Sequence, residues 1–297
     1  MMKKYIVILP ILFSSILLFN NCEKVEDVVD FPVKEPTLVL NCFFSSDSTD
    51  WVFQISKSLS VIDNAELKLI PDAKVKLMSN NVVIAQNITA DKDGLYRHKG
   101  FKASPDSTYS VEVTHPKLKT ITASDVAVRR PDFEVTKHII VDSSTYYYDP
   151  NTGRNYGWID GSMTLKIKDD PNEDNYYRIR VYFYDSIYKS TLYNITSDNP
   201  AVENNYYQGL LLSDYLFNGQ SFEITFDFED WEYYINKDYY ITVEAVSKAF
   251  FYYERSYWLF LDRQGDPFSE PVQIYNNIVN GYGIFANMLG KEIKYPI

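Results

Sequence analysis

The sequence predicts a mainly β protein: two antiparallel β-sandwich domains of immunoglobulin- or prealbumin-like type, the second with one helix near its C-terminal end. Three observations predict it. Apolar and polar residues alternate with period two along many short runs. Turn-forming pairs such as Asn80-Asn81 and Asp93-Gly94 punctuate those runs. Between Lys248 and Arg263 the period changes to that of a helix.

The chain of 297 residues is long enough for two domains with cores of their own. It opens on the basic Met1-Met2-Lys3-Lys4, followed by an uncharged, mostly apolar run of 15 residues from Tyr5 to Phe19. That run falls short of the ~20 residues that span a bilayer, and Pro10 interrupts it. It has the length of a secretory core, so residues 1–21 read as a signal peptide. Cys22 follows at once. Its placement resembles a lipoprotein processing site, where the signal is cleaved before the cysteine and the thiol is acylated. Asn21 departs from that pattern, because a small residue is usual there. Each buried methylene of an acyl chain contributes ~0.8 kcal/mol of membrane binding, so several chains hold a soluble domain firmly.

Residues 22–36 form the lipidated cysteine and a tether. Its Glu23, Glu26, Asp27 and Asp30 are acidic, prolines punctuate it, and it lacks a period. With Cys22 lipidated, Cys42 has no partner in the chain, and its apolar surroundings predict a buried, inert thiol. The net charge of −11 becomes more acidic once Lys3 and Lys4 leave. That balance excludes nucleic-acid binding, which needs clustered Lys and Arg.

Residues 37–131 read as the N-terminal sandwich. Expected strands are Leu38–Phe44, Trp51–Ser56, Lys74–Met78, Val82–Gln86, Leu95–His98, Tyr109–Thr114 and Thr120–Val128. Residues 132–297 form the second, tyrosine-rich β domain. Met163, Leu165 and Ile167 alternate with Thr164, Lys166 and Lys168; Tyr177, Ile179, Val181 and Phe183 face away from Arg178, Arg180 and Tyr182. Phe222–Phe228 and Ile241–Ala245 show the same alternation, with Thr242 and Glu244 on the outer face. In the helix, Phe250, Tyr253, Tyr257 and Leu261 share a stripe from which Glu254, Arg255 and Asp262 fall away. Ser247 is the expected N-cap, and Gly265 and Pro267 end the helix. Gly281-Tyr282-Gly283 then bends the chain into a last strand, Ile284–Leu289.

No catalytic, cofactor or metal site is expected. His98, His115 and His138 lie far apart, with no cysteine at ligand spacing. Gly-rich phosphate loops and nucleophile elbows do not occur. Residues Asp149 to Asp160 read as a long polar loop, not a calcium loop, because Arg154 stands where such a loop needs glycine. Tyrosine, at 26 residues, recurs in pairs: Tyr176-Tyr177, Tyr206-Tyr207, Tyr233-Tyr234, Tyr239-Tyr240 and Tyr252-Tyr253. Such pairs fill cores or offer amphipathic contact area for protein, peptide or glycan. Asp185-Ser186-Ile187 fits a loose O-glycosylation tripeptide.

Several segments stand out: Cys22-Glu23-Lys24-Val25-Glu26-Asp27, Pro36–Leu40, Asp170–Arg180 and Leu212–Gln220. Most specific are Gly265-Asp266-Pro267-Phe268-Ser269-Glu270-Pro271, then Tyr275–Ile278 and Asn280–Phe285. In these segments the chain resembles the Bacteroidetes outer-membrane lipoprotein family known as domain of unknown function 4249. The resemblance implies an outer-membrane lipoprotein, often encoded beside a TonB-dependent receptor, with no catalytic residues to carry over. The expected function is that of a non-enzymatic, surface-exposed accessory partner of a TonB-dependent transporter in nutrient capture. Asp266, Ser269 and Glu270 are candidate partner contacts. The alternatives are a structural or adhesive surface lipoprotein, and a hydrolase whose carboxylates converge only in space.

Overall fold

Nearly every run with period two becomes a strand. The computed structural model describes residues 35–59, 68–151, 154–183, 191–192, 194–205, 209–234, 238–266 and 268–296. The expected signal peptide, Cys22, nearly all of the tether, Tyr206-Tyr207, Asp185-Ser186-Ile187 and Pro267 lie outside them. The strands are β1 (Leu38–Phe44), β2 (Asp50–Lys57), β3 (Lys74–Ser79), β4 (Val82–Ile88), β5 (Tyr96–Lys99), β6 (Thr108–Thr114) and β7 (Ile121–Val126). They continue with β8 (Asp132–Asp149), β9 (Arg154–Lys168), β10 (Tyr176–Phe183), β11 (Thr191–Leu192), β12 (Ile195–Thr196), β13 (Val202–Asn205) and β14 (Gly209–Ser213). Then come β15 (Ser221–Tyr234), β16 (Asp238–Val246), helix α1 (Lys248–Arg263) and β17 (Tyr282–Pro296).

Among the described residues these strands make three sheets. A nine-stranded sheet has the order β13-β14-β10-β16-β17-β1-β2-β5, with β11 paired to β10. Two four-stranded sheets have the orders β4-β3-β6-β7 and β12-β15-β9-β8. The first packs its Val75, Leu77, Val111 and Val113 against Leu38, Leu40, Trp51 and Phe53. The second packs Leu165, Ile167, Ile224 and Phe226 against Ile179, Leu210, Ile241 and Val243. Two sandwich cores thus share one large sheet.

Strand β17 does the sharing. It pairs antiparallel with β16 and parallel with β1. Phe285 enters the first core, whereas Ile293 and Tyr295 pack on the second. All three are odd-numbered, so they occupy one face of the strand. The boundary expected at residues 131 and 132 falls between β7 and β8, but hydrogen bonding crosses it where β17 meets β1. This strand runs from Tyr282 to Pro296, past the Leu289 end expected from sequence. The alternation continues beneath charged residues, with Ile293 and Tyr295 turned inward and Lys294 outward.

The polar loop expected over Asp149–Asp160 is instead a tight connection. Asp149 pairs with Arg154, and Arg154 onward is already strand β9. The turn chemistry at Asn80-Asn81 holds: both residues adopt positive φ, 46° and 67°, between the paired Ser79 and Val82. Cys42 is buried at 2 % exposure, and burial pushes its thiol pKa up, which keeps it protonated. No helix of the described residues is long and apolar enough to cross a membrane.

Asn287 of β17 ties the parts together. Its side chain accepts from the Val128 backbone N–H at 2.8 Å and donates to the Phe44 carbonyl at 2.9 Å. Its backbone N–H donates to Asp125 of β7 at 2.7 Å. Burial raises the Asp125 carboxyl from 3.8 to about 6 despite hydrogen bonds from Ser247, Asn287 and Val126. The folded pKa exceeds the unfolded one, so the folded chain holds the extra proton. The stability that proton contributes is fully present below the unfolded value and is lost as pH rises through about 6. In paired thermal melts, the wild type gains stability relative to D125N as pH falls from neutral toward the unfolded value. A difference that stays flat with pH would count against this account. Gly283 gives a second test. It sits at φ +114°, and an added Cβ would lie 2.0 Å from the Leu40 carbonyl oxygen. Gly283→Ala should lower stability by at least about 1–3 kcal/mol in urea unfolding.

Candidate functional site

Two of the described hollows flank α1, and a further open hollow of about 400 Å3 lies elsewhere, lined by Leu69, Ile70, His115 and Leu118 among others. Ser247 begins the helix, its hydroxyl accepting from the Phe250 N–H at 3.3 Å, as the N-cap reading requires. The helix runs from Lys248 to Arg263, and Gly265 follows at φ +94°. Ala249, Phe250 and Phe251 bury against Tyr176, Leu211, Ile284 and Ala286 on the outer face of the large sheet. Strand β10 is therefore covered on both faces, which is why both Tyr176 and Tyr177 are buried.

That second covered face changes the meaning of its charged residues. Arg178, Thr242 and Glu244, expected on an outer face, are 6 %, 7 % and 5 % exposed. Glu254, expected to fall away from the helical stripe, is 6 % exposed. Arg178 and Glu244 are direct cross-strand partners, and Arg178 Nε donates to Glu244 Oε2 at 2.6 Å. Arg178 Nη1 donates to both oxygens of Glu254, at 3.0 and 2.8 Å. Arg180 Nη2 donates to the other Glu244 oxygen at 2.6 Å. The Arg178 guanidinium also lies 4.7 Å above the Phe250 ring. Burial opposes its charge, but the two carboxylates outweigh burial and hold it protonated. Sequence reasoning missed this cluster. The available signal was Glu254 set one turn from both Phe250 and Trp258, inside an aromatic stripe.

The stretch after the helix is architectural in its contacts. Asp266 accepts from the Phe268 N–H at 2.9 Å and from the Ser269 hydroxyl at 2.7 Å, and these bonds hold its carboxyl below the ordinary value. The structure thus brings Asp266 and Ser269 together in one exposed turn, followed by the exposed Glu270. Phe268, at 95 % exposure, projects from the same turn. Further on, Asn277 mimics a strand: its amide donates to the Phe285 carbonyl at 2.8 Å and accepts from the Phe285 N–H at 3.0 Å. The Tyr275 N–H donates to the Ser256 hydroxyl of α1 at 2.7 Å.

Two hollows flank α1. An open groove of about 490 Å3 lies between the helix and residues 272–276, lined by Tyr252, Leu259, Val272, Ile274 and Tyr275 among others. On the other side a smaller hollow of about 230 Å3 lies over the Arg178–Glu254 pair, walled by aromatic rings. No group of His, Cys, Asp and Glu suited to a metal ion occurs among the described residues. His115 instead contacts Asp72 at 3.1 Å, and His98 and His138 sit on separate strands.

Residues 25–291 match the family described as Domain of unknown function (DUF4249). The chain belongs to that family. DUF4249 spans both sandwich cores and the helix, and its description assigns no activity. No curated protein matches the chain. Among solved structures, this DUF4249 chain is similar to a Salmonella alpha-2-macroglobulin mutant at 12% identity and a TM-score of 0.24, covering 91% of this chain and 15% of that one. It is also similar to a protein proposed to be membrane anchored from Corynebacterium diphtheriae, at 9% identity and a TM-score of 0.21, covering 86% of this chain and 60% of that one. The chain spans less than two thirds of either structure, and scores of this size carry no argument about function.

The ion cluster makes a quantitative prediction. Glu254→Leu leaves a buried guanidinium with one carboxylate fewer and should cost about 3–5 kcal/mol in urea unfolding. Arg178→Met combined with Glu254→Leu removes both charges and should lose clearly less than the two single changes added together. Strict additivity would show that the pair does not interact.

Proposed function

We propose that the protein is a non-enzymatic lipoprotein, held on the outer membrane through acylated Cys22. On this reading it faces outward and serves as the accessory partner of a TonB-dependent transporter in nutrient capture. The observation that carries the reading is the uncharged run Tyr5–Phe19 ending directly at Cys22, followed by an acidic tether. The folded body supports a binding role over a chemical one. Its buried carboxylates are engaged in the fold: Glu244 and Glu254 on arginines, Asp214 on the Asn175 N–H at 2.7 Å, and Asp125 on Asn287. The turn of Asp266, Ser269 and Glu270, with exposed Phe268 beside it, offers a contact surface at the end of α1.

Cys22→Ala should abolish incorporation of a fatty-acid label and move the protein from the membrane fraction to the soluble envelope fraction. Continued labelling would reject the anchor. Affinity purification after crosslinking in intact cells should recover an outer-membrane barrel protein. Glu270→Ala with Phe268→Ser should weaken that recovery while leaving the melting temperature within a few degrees of wild type. Repeated recovery of no barrel protein would reject the partnership.

A further inference from the structure

We infer that the hollow over the Arg178–Glu254 pair is a binding site for a neutral saccharide ring. Three elements build it. Phe43 of β1 is 41 % exposed and packs edge-on to Phe250 at 5.5 Å and against Tyr253 at 5.7 Å. Tyr253 and Tyr257 of α1 lie nearly parallel, at 5° and 6.0 Å, and Trp258 meets Tyr257 at 75°. Half-exposed rings thus stand around a hollow of about 230 Å3. That is smaller than a pocket for a drug-sized ligand, ~300–1,000 Å3, and suits one ring.

The floor supplies a buried donor. Arg178 spends Nε on Glu244 and Nη1 on Glu254, but among the described residues Nη2 meets only the Met288 thioether, at 3.7 Å. A thioether is a weak acceptor, so this buried N–H pair is poorly satisfied. Arg178 and Met288 both line the hollow, so an oxygen entering there can accept from Nη2. Charge selects which oxygen. Arg178 and Arg180 balance Glu244 and Glu254, so the floor is neutral. A charged ligand would be desolvated with no counter-charge to receive it. A hydroxyl or ring ether meets no such penalty.

The ring-sized volume and the neutral floor together favour a sugar ring over an extended peptide. Recognition there is by side chains: apolar C–H faces against the rings, and one acceptor oxygen on Arg178. The site stands on its own geometry, whether or not a transporter binds the protein.

The test uses the full-length protein in an amine-oxide detergent, because maltoside detergents carry sugars. An array of neutral and charged glycans is screened, and hits are titrated by calorimetry and tryptophan fluorescence. Neutral glycans should give saturable binding. Tyr257→Ala should weaken it about tenfold or more with little change in melting temperature, and Trp258→Phe should weaken it less. Binding confined to charged glycans, no saturable glycan binding, or binding unchanged by both variants would overturn the inference. So would capture of short peptides from a random library that Tyr257→Ala abolishes. None of these outcomes depends on the lipid anchor or on a transporter, so they leave the proposed partnership to its own tests.

Discussion

A guanidinium buried between a sheet and a helix needs carboxylates to remain charged there. Arg178 has one from the neighbouring strand and one from α1. The contact fixes the rotation of α1 about its axis, because Glu254 must point at the sheet. With that rotation set, Phe250 and Phe251 bury, and Tyr253 and Tyr257 turn toward the rim beside Phe43. Aliphatic residues could fill the same space at equal or lower energy. What they would lose is the directional bond that chooses one face of an otherwise aromatic helix.

Asparagine side chains play a comparable part where the helix returns to the sheet. Asn276, Asn277 and Asn287 each bind backbone groups through their side-chain amides. They let irregular chain lie against β17 without leaving its donors and acceptors unpaired. The stretch between α1 and β17 is thus mainly a means of docking the last strand between two cores.

Much of the fold was legible in the sequence, and the misplaced buried polar residues have one cause. Strand β1, the N-cap at Ser247 and both bounds of the helix were read directly, since they depend on local pattern and turn chemistry. Period two also separated Ile241 and Val243 from Thr242 and Glu244 correctly. What it could not say is that the second face is covered as well. Covering depends on a helix that arrives later in the chain, and this long-range fact turned four polar residues into core. The hollow over Arg178 was invisible for the same reason, because Phe43, Arg178, Tyr257 and Met288 come from four separate elements. Among the predicted contacts, Asp266 and Ser269 do meet, because a turn joins residues close in sequence.

The parallel pairing of β1 with β17 also governs when the protein can be finished. Val39 lies beside Tyr282, so the centre of the large sheet closes only after almost the whole described chain is present. Such sequence-distant pairing slows folding, since loop closure precedes the contacts that reward it. A chain synthesised only as far as α1 therefore still lacks the strand that joins its two cores.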